Sequence, residues 1–295
     1  MTDAPVLTSP LVSTQWLADH LGATDLLVVD ASVVGFTRPD GKPGYLSGHE
    51  QYILEGHLPG AVFADLIEEF SDPEGAYPFT RPDAARFAAA AGALGVGDHT
   101  TVIVYDSAVG QWASRVWWLF RAFGYDRVAV LDGGLTKWRS EGRALDLGHV
   151  EPASAAFTPQ ERPELWADKA DVEAVVRGER DAALVCSVPP KEFSGESTSR
   201  ARAGHIPGSV SAPAGLLVDR DTNTLLGADA LRQKFGPALE APQIIAYCAG
   251  GIAATSAALA LTLLGERSVA VYDASLNEWA SDPAAPLETL VAAAS

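Results

Sequence analysis

The stretch Ile244–Thr255 reads IIAYCAGGIAAT and places a cysteine, Cys248, between two structural signals. The apolar run before the cysteine is typical of a buried strand, and the alanine-rich segment after the two glycines is typical of a helix. In an open parallel sheet, ligands bind beyond the carboxyl ends of the strands, which is where this cysteine falls. The stretch therefore predicts an α/β fold with a thiol at the turn from a strand to a helix.

The chain carries one series of motifs twice. EGHLPGA at residues 55–61 returns as AGHIPGS at 203–209, VIVYDSAVG at 102–110 as IIAYCAGGI at 244–252, and VLDGGLTKW at 130–138 as VYDASLNEW at 271–279. The three matches keep their order, and the spacing between the copies changes only by the length of a loop. We interpret the chain as a tandem duplication of one domain.

Each half alternates apolar runs with helical segments. The predicted strands are residues 25–32, 101–107, 127–134, 182–188, 243–249 and 268–274, and the predicted helices are 83–95, 113–124 and 255–265. Runs without polar alternation are typical of strands covered on both faces. The predicted fold class is α/β, with a doubly wound, mainly parallel sheet flanked by helices in each half. The predicted domains are residues 1–146 and 165–295, joined by an aperiodic linker at 147–164 that contains proline and serine.

Composition and charge restrict the function. The chain has 295 residues, of which 47% are apolar, and its formal net charge is −17 at pH 7. These values are typical of a soluble globular protein, and the negative charge argues against binding to nucleic acid or to an anionic membrane surface. The first residues do not resemble a secretory signal, and two cysteines are too few for a disulfide framework, so we expect a reducing cytoplasm.

The loop after Cys248 is suited to hold a nucleophilic sulfur together with an anion. The backbone N–H groups from Ala249 to Ala254 can converge on the sulfur, because unpaired N–H groups at the start of a helix bind anions and favour a thiolate over a thiol. Gly250 and Gly251 allow the backbone to approach closely. The sequence therefore predicts a reactive cysteine in an anion-binding loop.

The two halves differ at this position. Asp106 stands in the first half where Cys248 stands in the second, so one copy alone carries the nucleophile. The other cysteine, Cys186, lies in an apolar strand and is expected to be a small buried side chain.

A cysteine phosphatase or arsenate reductase is disfavoured. Such a loop needs an arginine six residues after the cysteine to clamp an oxyanion, and that position is Ala254. No Arg or Lys occurs between Lys234 and Arg267. The loop is also not Cys-x-x-Cys, which disfavours a thioredoxin-type dithiol.

With these motifs the sequence resembles a two-domain rhodanese-type sulfurtransferase. The resemblance covers nearly the whole chain and is most specific in GHLPGA, GHIPGS, RVWWLFRAFG, LDGGLTKW and the six-residue loop 248–253. It implies that the first domain is inactive and that Cys248 is catalytic. The thiolate would take a sulfane sulfur from thiosulfate or 3-mercaptopyruvate as a persulfide, and cyanide or another thiol would then remove that sulfur. The resemblance implies no metal and no organic cofactor.

The resemblance assigns an active-site loop that departs from both substrate classes of the family. The loop residues are Ala249, Gly250, Gly251, Ile252 and Ala253. Thiosulfate-preferring members usually carry two basic residues directly after the cysteine, and mercaptopyruvate-preferring members usually carry Gly-Ser. Since Ala249 and Gly250 match neither pattern, the preferred donor stays open.

Four further residues are candidates for substrate binding. Arg200 and Arg202 precede the second GHxPG turn and can supply positive charge, whereas Asp65 and Trp112 fall where the family has an acidic and an aromatic residue near the site. Ser275 is interpreted as the cap of a helix that starts near Leu276. The alternative function is a non-catalytic rhodanese-like module that binds an anion or a partner. The missing basic residues favour this alternative, and the cysteine opposes it.

Overall fold

A computed structural model describes residues 5–291. In the first half the strands are β1 (Leu11–Val12), β2 (Leu26–Asp30), β3 (Val33–Thr37), β4 (Pro43–Ser47), β5 (Val62–Phe63), β6 (Thr101–Tyr105) and β7 (Val128–Leu131), and the helices are α1 (Thr14–His20), α2 (His49–Glu55), α3 (Ala84–Ala93), α4 (Gln111–Ala122) and α5 (Gly134–Ser140). In the second half the strands are β8 (Trp166–Ala167), β9 (Ala183–Cys186), β10 (Val210–Ser211), β11 (Ile244–Tyr247) and β12 (Val269–Tyr272), and the helices are α6 (Lys169–Val176), α7 (Pro190–Ser194), α8 (Ala228–Phe235), α9 (Ala253–Leu263) and α10 (Ser275–Trp279).

Each half builds a five-stranded parallel sheet. The strand order is β1-β7-β6-β2-β5 in the first half and, read in the same direction, β8-β12-β11-β9-β10 in the second. The two orders are equivalent strand by strand, and the predicted α/β fold of two domains with parallel sheets is confirmed. No helix within residues 5–291 is long and apolar enough to cross a membrane.

The motifs that recur in the sequence make the same contacts in both halves. The Tyr105 hydroxyl accepts the Leu58 N–H at 3.1 Å, and the Tyr247 hydroxyl accepts the Ile206 N–H at 3.0 Å. These bonds tie each GHxPG turn to the central strand of its own sheet. His57 and His205, which belong to these turns, bond backbone carbonyls through Nδ1, in agreement with the structural role that their repetition suggests.

The antiparallel hairpin β3–β4 was not predicted. It forms a two-stranded sheet of its own, in which Gly35 pairs with Tyr45. Its strands contain glycine and proline, and Phe36, Tyr45 and Leu46 are exposed, so the segment lacks the apolar pattern that marks the buried strands. The hairpin matters because it brings Tyr45 to the site described below.

The two domains share one hydrophobic core. Every residue of α4 from Trp112 to Phe120 is buried, as is every residue of α9 from Ala254 to Leu261. A helix that is buried on all sides must be covered by neighbours on all sides, and α4 and α9 pack against each other. The first domain therefore lies directly against the helix that follows Cys248.

The predicted linker runs along the first domain. The Ala155 N–H donates to the Gly92 carbonyl at 2.9 Å, the Gln160 N–H donates to the Phe123 carbonyl at 2.8 Å, and Phe157 is buried. The segment from Ala155 to Gln160 is thus fixed in place. The exact domain boundaries stay a prediction.

Candidate active site

Cys248 lies at the carboxyl end of β11, the central strand of the second sheet. Its side chain is almost fully covered, since the residue is 2% exposed. The Cys248 N–H donates to Ser275 Oγ at 3.0 Å, and its carbonyl accepts the Leu276 N–H at 3.1 Å. Two bonds therefore fix the backbone of the cysteine to the start of α10.

Ser275 holds the loop and does not cap a helix. It is the first residue of α10, which has no side-chain cap, so the predicted cap is wrong. Its Oγ accepts a second N–H, from Gly251 at 3.2 Å, and donates to the Tyr272 carbonyl at 2.7 Å. Ser275 has a φ of 53°, a left-handed conformation that is unfavourable for a residue with a Cβ. Backbone strain of this kind persists only where the surrounding contacts enforce it. Here the enforcing contacts are the hydrogen bonds of Ser275 Oγ, which also fix the cysteine loop.

Asp106 shows what the corresponding loop of the first half binds. Its carboxylate accepts four backbone N–H groups, those of Ala108 at 2.8 Å, Gly110 at 3.0 Å, Trp112 at 2.9 Å and Ala113 at 3.0 Å. The loop and the start of α4 therefore form a cradle for a negatively charged group, as expected at a helix N-terminus.

In the second half, three of the four corresponding N–H groups, those of Gly250, Ile252 and Ala254, donate to no acceptor within residues 5–291. The fourth, that of Thr255, donates to the Ile252 carbonyl at 2.9 Å. These groups belong to the loop and helix start that follow a thiol, where the first half has a carboxylate. The second cradle can therefore stabilise a charge that develops on or beyond the sulfur.

Arg115 of the first domain clamps the cysteine loop. Its side chain is fully buried, with Nη1 2.7 Å from Asp273 Oδ1 and 3.3 Å from the Gly251 carbonyl oxygen, while Nη2 donates to the Phe79 carbonyl at 2.8 Å. The contact with Oδ1 is an ion pair without hydrogen-bond alignment. Asp273 Oδ2 accepts the Arg81 N–H at 2.9 Å, so both its oxygens face the first domain.

The glycine at position 251 is required by this clamp. Gly251 has a φ of 76°, and a Cβ there would lie 2.6 Å from the Asp273 carbonyl oxygen. Gly250 is restricted for another reason, because a Cβ there would lie 2.8 Å from Asn277 Nδ2 and 3.6 Å from the Pro78 carbonyl oxygen. A side chain at this position would therefore require the Asn277 side chain to move.

Three aromatic rings of the first domain form a cluster beside the loop. The ring centroid of Tyr45 lies 5.2 Å from Phe79 and 5.6 Å from Trp112, and those of Phe79 and Trp112 are 5.4 Å apart. Burial raises the pKa of Tyr45, and the charge of Cys248 raises this pKa further. Trp112, which the sequence analysis named as a candidate, is part of this cluster, whereas Tyr45 and Phe79 were missed.

Arg200 and Arg202 have different surroundings. The Arg200 side chain is 7% exposed and pairs with Glu192 at 2.5 Å. Burial raises the pKa of Tyr45 and of Cys186, and the charge of Arg200 partly offsets this rise, so Arg200 is within electrostatic reach of both groups. Arg202 instead donates to the backbone carbonyls of Trp279, Ala280, Asp282 and Ala285. Its guanidinium is committed to the chain that follows α10.

Asp65 is engaged in a local turn. Its Oδ1 accepts the N–H groups of Ile67 and Glu68, both at 3.0 Å. Among the hydrogen bonds of residues 5–291, none joins Asp65 to the cysteine loop. The structure therefore does not bring Asp65 to the loop through a direct polar contact.

The second cysteine is set apart from these groups. Cys186 is fully buried at the end of β9, paired in register with Tyr247, and burial raises its pKa to about 12. A thiol with so high a pKa is not a nucleophile at neutral pH. Cys186 thus behaves as the small buried side chain that its apolar strand predicts.

The fold and this site define a two-domain α/β protein that presents one cysteine at the start of a loop with backbone N–H groups left unpaired within residues 5–291. The chain belongs to the family of proteins with a rhodanese-like domain, which matches residues 13–141 and 179–282. The resemblance seen in the sequence is confirmed.

Individual relatives match over almost their whole length. The chain is 34% identical to thiosulfate/3-mercaptopyruvate sulfurtransferase 2 of Arabidopsis thaliana, over 96% of this chain and 88% of that protein. It is also 34% identical to the thiosulfate sulfurtransferase of Gallus gallus, over 94% and 95%. The crystal structure of SseA from Escherichia coli, a 3-mercaptopyruvate sulfotransferase, matches with a TM-score of 0.80 and 32% identity over 91% of this chain and 99% of that one. Relatives named for thiosulfate and relatives named for 3-mercaptopyruvate are thus about equally similar to this chain.

Proposed function

We propose that the protein is a sulfurtransferase that moves a sulfane sulfur from thiosulfate or 3-mercaptopyruvate to a thiol or cyanide through a persulfide on Cys248. The observation that carries this proposal is the contrast between the two cradles. A carboxylate fills the first with four hydrogen bonds, whereas in the second, where Cys248 replaces Asp106, three of the equivalent N–H groups have no acceptor within residues 5–291. A persulfide anion places negative charge one atom beyond Sγ, where such groups can stabilise it.

Each half-reaction transfers one neutral sulfur atom. The Cys248 thiolate attacks the outer sulfur of the donor, a new S–S bond forms, and the old bond of that sulfur breaks with its electron pair on the leaving group. Thiosulfate leaves as sulfite, and 3-mercaptopyruvate leaves as the enolate of pyruvate, which takes up the proton that the donor thiol releases. An acceptor thiolate or cyanide then attacks the outer sulfur and frees the Cys248 thiolate.

The charges near the loop favour a singly charged donor. Arg115 is neutralised by Asp273 and Arg200 by Glu192, so these four groups together add no net charge. The whole chain carries −17, which repels anions in general. Thiosulfate, with two negative charges, should therefore be the weaker donor. Arg200 is the proposed contact for the anionic end of the donor.

The wider setting follows from the same chemistry. We propose a tandem pair of domains, residues 1–146 and 165–295, in which the first supports and the second catalyses. A reducing compartment keeps thiols free, and for this compartment we propose the cytoplasm.

The test is the intact mass of the reduced protein after separate exposure to thiosulfate and to 3-mercaptopyruvate. We expect a gain of one sulfur atom in the wild type and none in Cys248→Ser. Addition of cyanide should remove the sulfur and release thiocyanate. If the folded, reduced protein gains no sulfur from either donor, the proposal is wrong, and a binding module takes its place.

A further inference from the structure

Tyr45 is held against the cysteine loop by a chain of contacts across the two domains. Its ring packs on Phe79, and the Phe79 carbonyl accepts Arg115 Nη2 at 2.8 Å. Arg115 Nη1 in turn donates to the Gly251 carbonyl at 3.3 Å. Tyr45 remains 41% exposed, so its side chain is open to solvent although its ring packs in the aromatic cluster. A small molecule in solution can therefore reach the Tyr45 side chain.

The hydroxyl groups of the cysteine loop itself are already committed. Ser275 donates to the Tyr272 carbonyl at 2.7 Å, and Thr255 donates to the Ile252 carbonyl at 2.7 Å. The Tyr45 hydroxyl, by contrast, makes no hydrogen bond with any other described residue of the chain. It is also within electrostatic reach of Cys248 and of the Glu192–Arg200 pair. Tyr45 thus offers a neutral O–H donor within electrostatic reach of a thiol and of an arginine.

We propose that the Tyr45 hydroxyl donates a hydrogen bond to the carbonyl oxygen of a 2-oxo acid sulfur donor, here 3-mercaptopyruvate, and stabilises the enolate that leaves. This inference rests on the proposed function, because it concerns the first sulfur transfer to Cys248. The cradle holds the sulfur, Tyr45 faces the keto oxygen, and Arg200 faces the carboxylate. Three groups thereby match the three polar ends of one small molecule.

The step balances without a change in the protonation of Tyr45. The Sγ–S bond forms, the C–S bond breaks, and its electron pair moves through the C–C bond onto the keto oxygen. Negative charge therefore develops on the oxygen that the hydroxyl contacts, and a fixed donor there lowers the barrier. The proton released by the donor thiol then adds to the carbon of the enolate. Thiosulfate has no keto oxygen and leaves as sulfite, so it gains nothing from this bond.

The experiment compares single-turnover rates of sulfur transfer to Cys248 from each donor, followed by intact mass. Tyr45→Phe keeps the ring on Phe79 and Trp112 and removes the hydroxyl alone. We expect its rate with 3-mercaptopyruvate to fall by about 100-fold, the effect of one lost oxyanion donor, and its rate with thiosulfate to stay within about twofold of wild type. Leu46→Ala, on the exposed part of the same hairpin, controls for disturbance of β4.

Ser187→Ala tests whether a different hydroxyl group donates the hydrogen bond to the keto oxygen. Ser187 follows β9, and its buried hydroxyl has no partner among residues 5–291. We expect this variant to keep the wild-type rate with both donors. The assignment of Tyr45 is overturned if Tyr45→Phe loses rate equally with both donors or loses no rate with either. It is also overturned if Ser187→Ala, and not Tyr45→Phe, shows the selective loss with 3-mercaptopyruvate. A wild type that accepts thiosulfate alone would overturn it too, whereas a wild type that accepts neither donor would overturn the proposed function itself.

Discussion

Arg115 of the first domain and Asp273 of the second form a buried ion pair, with Nη1 2.7 Å from Oδ1. The same guanidinium contacts the carbonyl of Gly251 in the cysteine loop and the carbonyl of Phe79 above it. The half that lacks the cysteine thus supplies the group that fixes the cysteine loop. This contact gives the first domain a physical role in the proposed reaction, whose covalent steps we assign to the second domain.

Arg115→Met should destabilise the protein strongly. The substitution keeps the apolar stem but leaves the Asp273 carboxylate, 14% exposed, without its cation. Removal of one partner of a buried pair lowers the free energy of unfolding by about 3–5 kcal/mol. Urea unfolding of Arg115→Met, Asp273→Asn and the double variant measures the coupling between the two. We expect a coupling of about 0.5–3 kcal/mol, and strict additivity would show that the pair does not interact.

Ser275 offers a matched pair of substitutions. Both Ser275→Ala and Ser275→Gly remove the oxygen that accepts the N–H groups of Cys248 and Gly251, which lowers the free energy of unfolding by about 1–3 kcal/mol. Only Ala keeps a Cβ at a φ of 53°, at a cost of roughly 1 kcal/mol that Gly avoids. Ser275→Gly should therefore be the more stable of the two in urea unfolding. The reverse order would mean that the backbone at this position relaxes when the hydroxyl is lost.

The fold was predictable because the buried strands have a recognisable apolar pattern in the sequence. Strands such as β6 and β11 are buried at every residue, so hydrophobicity alone marks them. The hairpin β3–β4 was missed because most of its large apolar residues, Phe36 and Leu46 among them, face solvent. Two strands that pair with each other but bury few side chains lack the apolar pattern by which a strand is recognised in a sequence.

The site was predictable only where its parts are close in the chain. The strand, glycines and helix around Cys248 lie within one stretch, and Asp106 marks the equivalent cradle. Arg115 reaches Gly251 across 136 residues, and nothing in the sequence tells which arginine crosses the interface. Ser275 did leave a signal, since the aligned motifs VLDGGLTKW and VYDASLNEW put it opposite Gly134, which has a φ of 54°. A serine in place of a left-handed glycine indicates a strained and therefore functional position.

The two cysteines should differ sharply in their reactivity toward an alkylating agent. Since burial raises the pKa of Cys186 to about 12, its thiolate fraction at pH 8 is about 10⁻⁴ and grows only tenfold for each further pH unit. Brief treatment of the folded protein with iodoacetamide should modify one cysteine, identified as Cys248 by peptide mapping. The folded Cys248→Ser variant should remain unmodified and take up one equivalent in urea. Modification of Cys186 in that folded variant, as fast as in urea, would contradict its burial.

Arg200 and Arg202 lie two residues apart and should respond in opposite ways. Arg200→Ala removes an arginine within electrostatic reach of Tyr45, so we expect KM for 3-mercaptopyruvate to rise about tenfold or more. Arg202→Ala removes the donor to four backbone carbonyls and should lower the free energy of unfolding by about 1–3 kcal/mol, with KM unchanged. Steady-state kinetics and urea unfolding of both variants separate the two roles. Unchanged KM in Arg200→Ala would remove this arginine from the proposed donor site, and the backbone cradle would then be left as the anion-binding group.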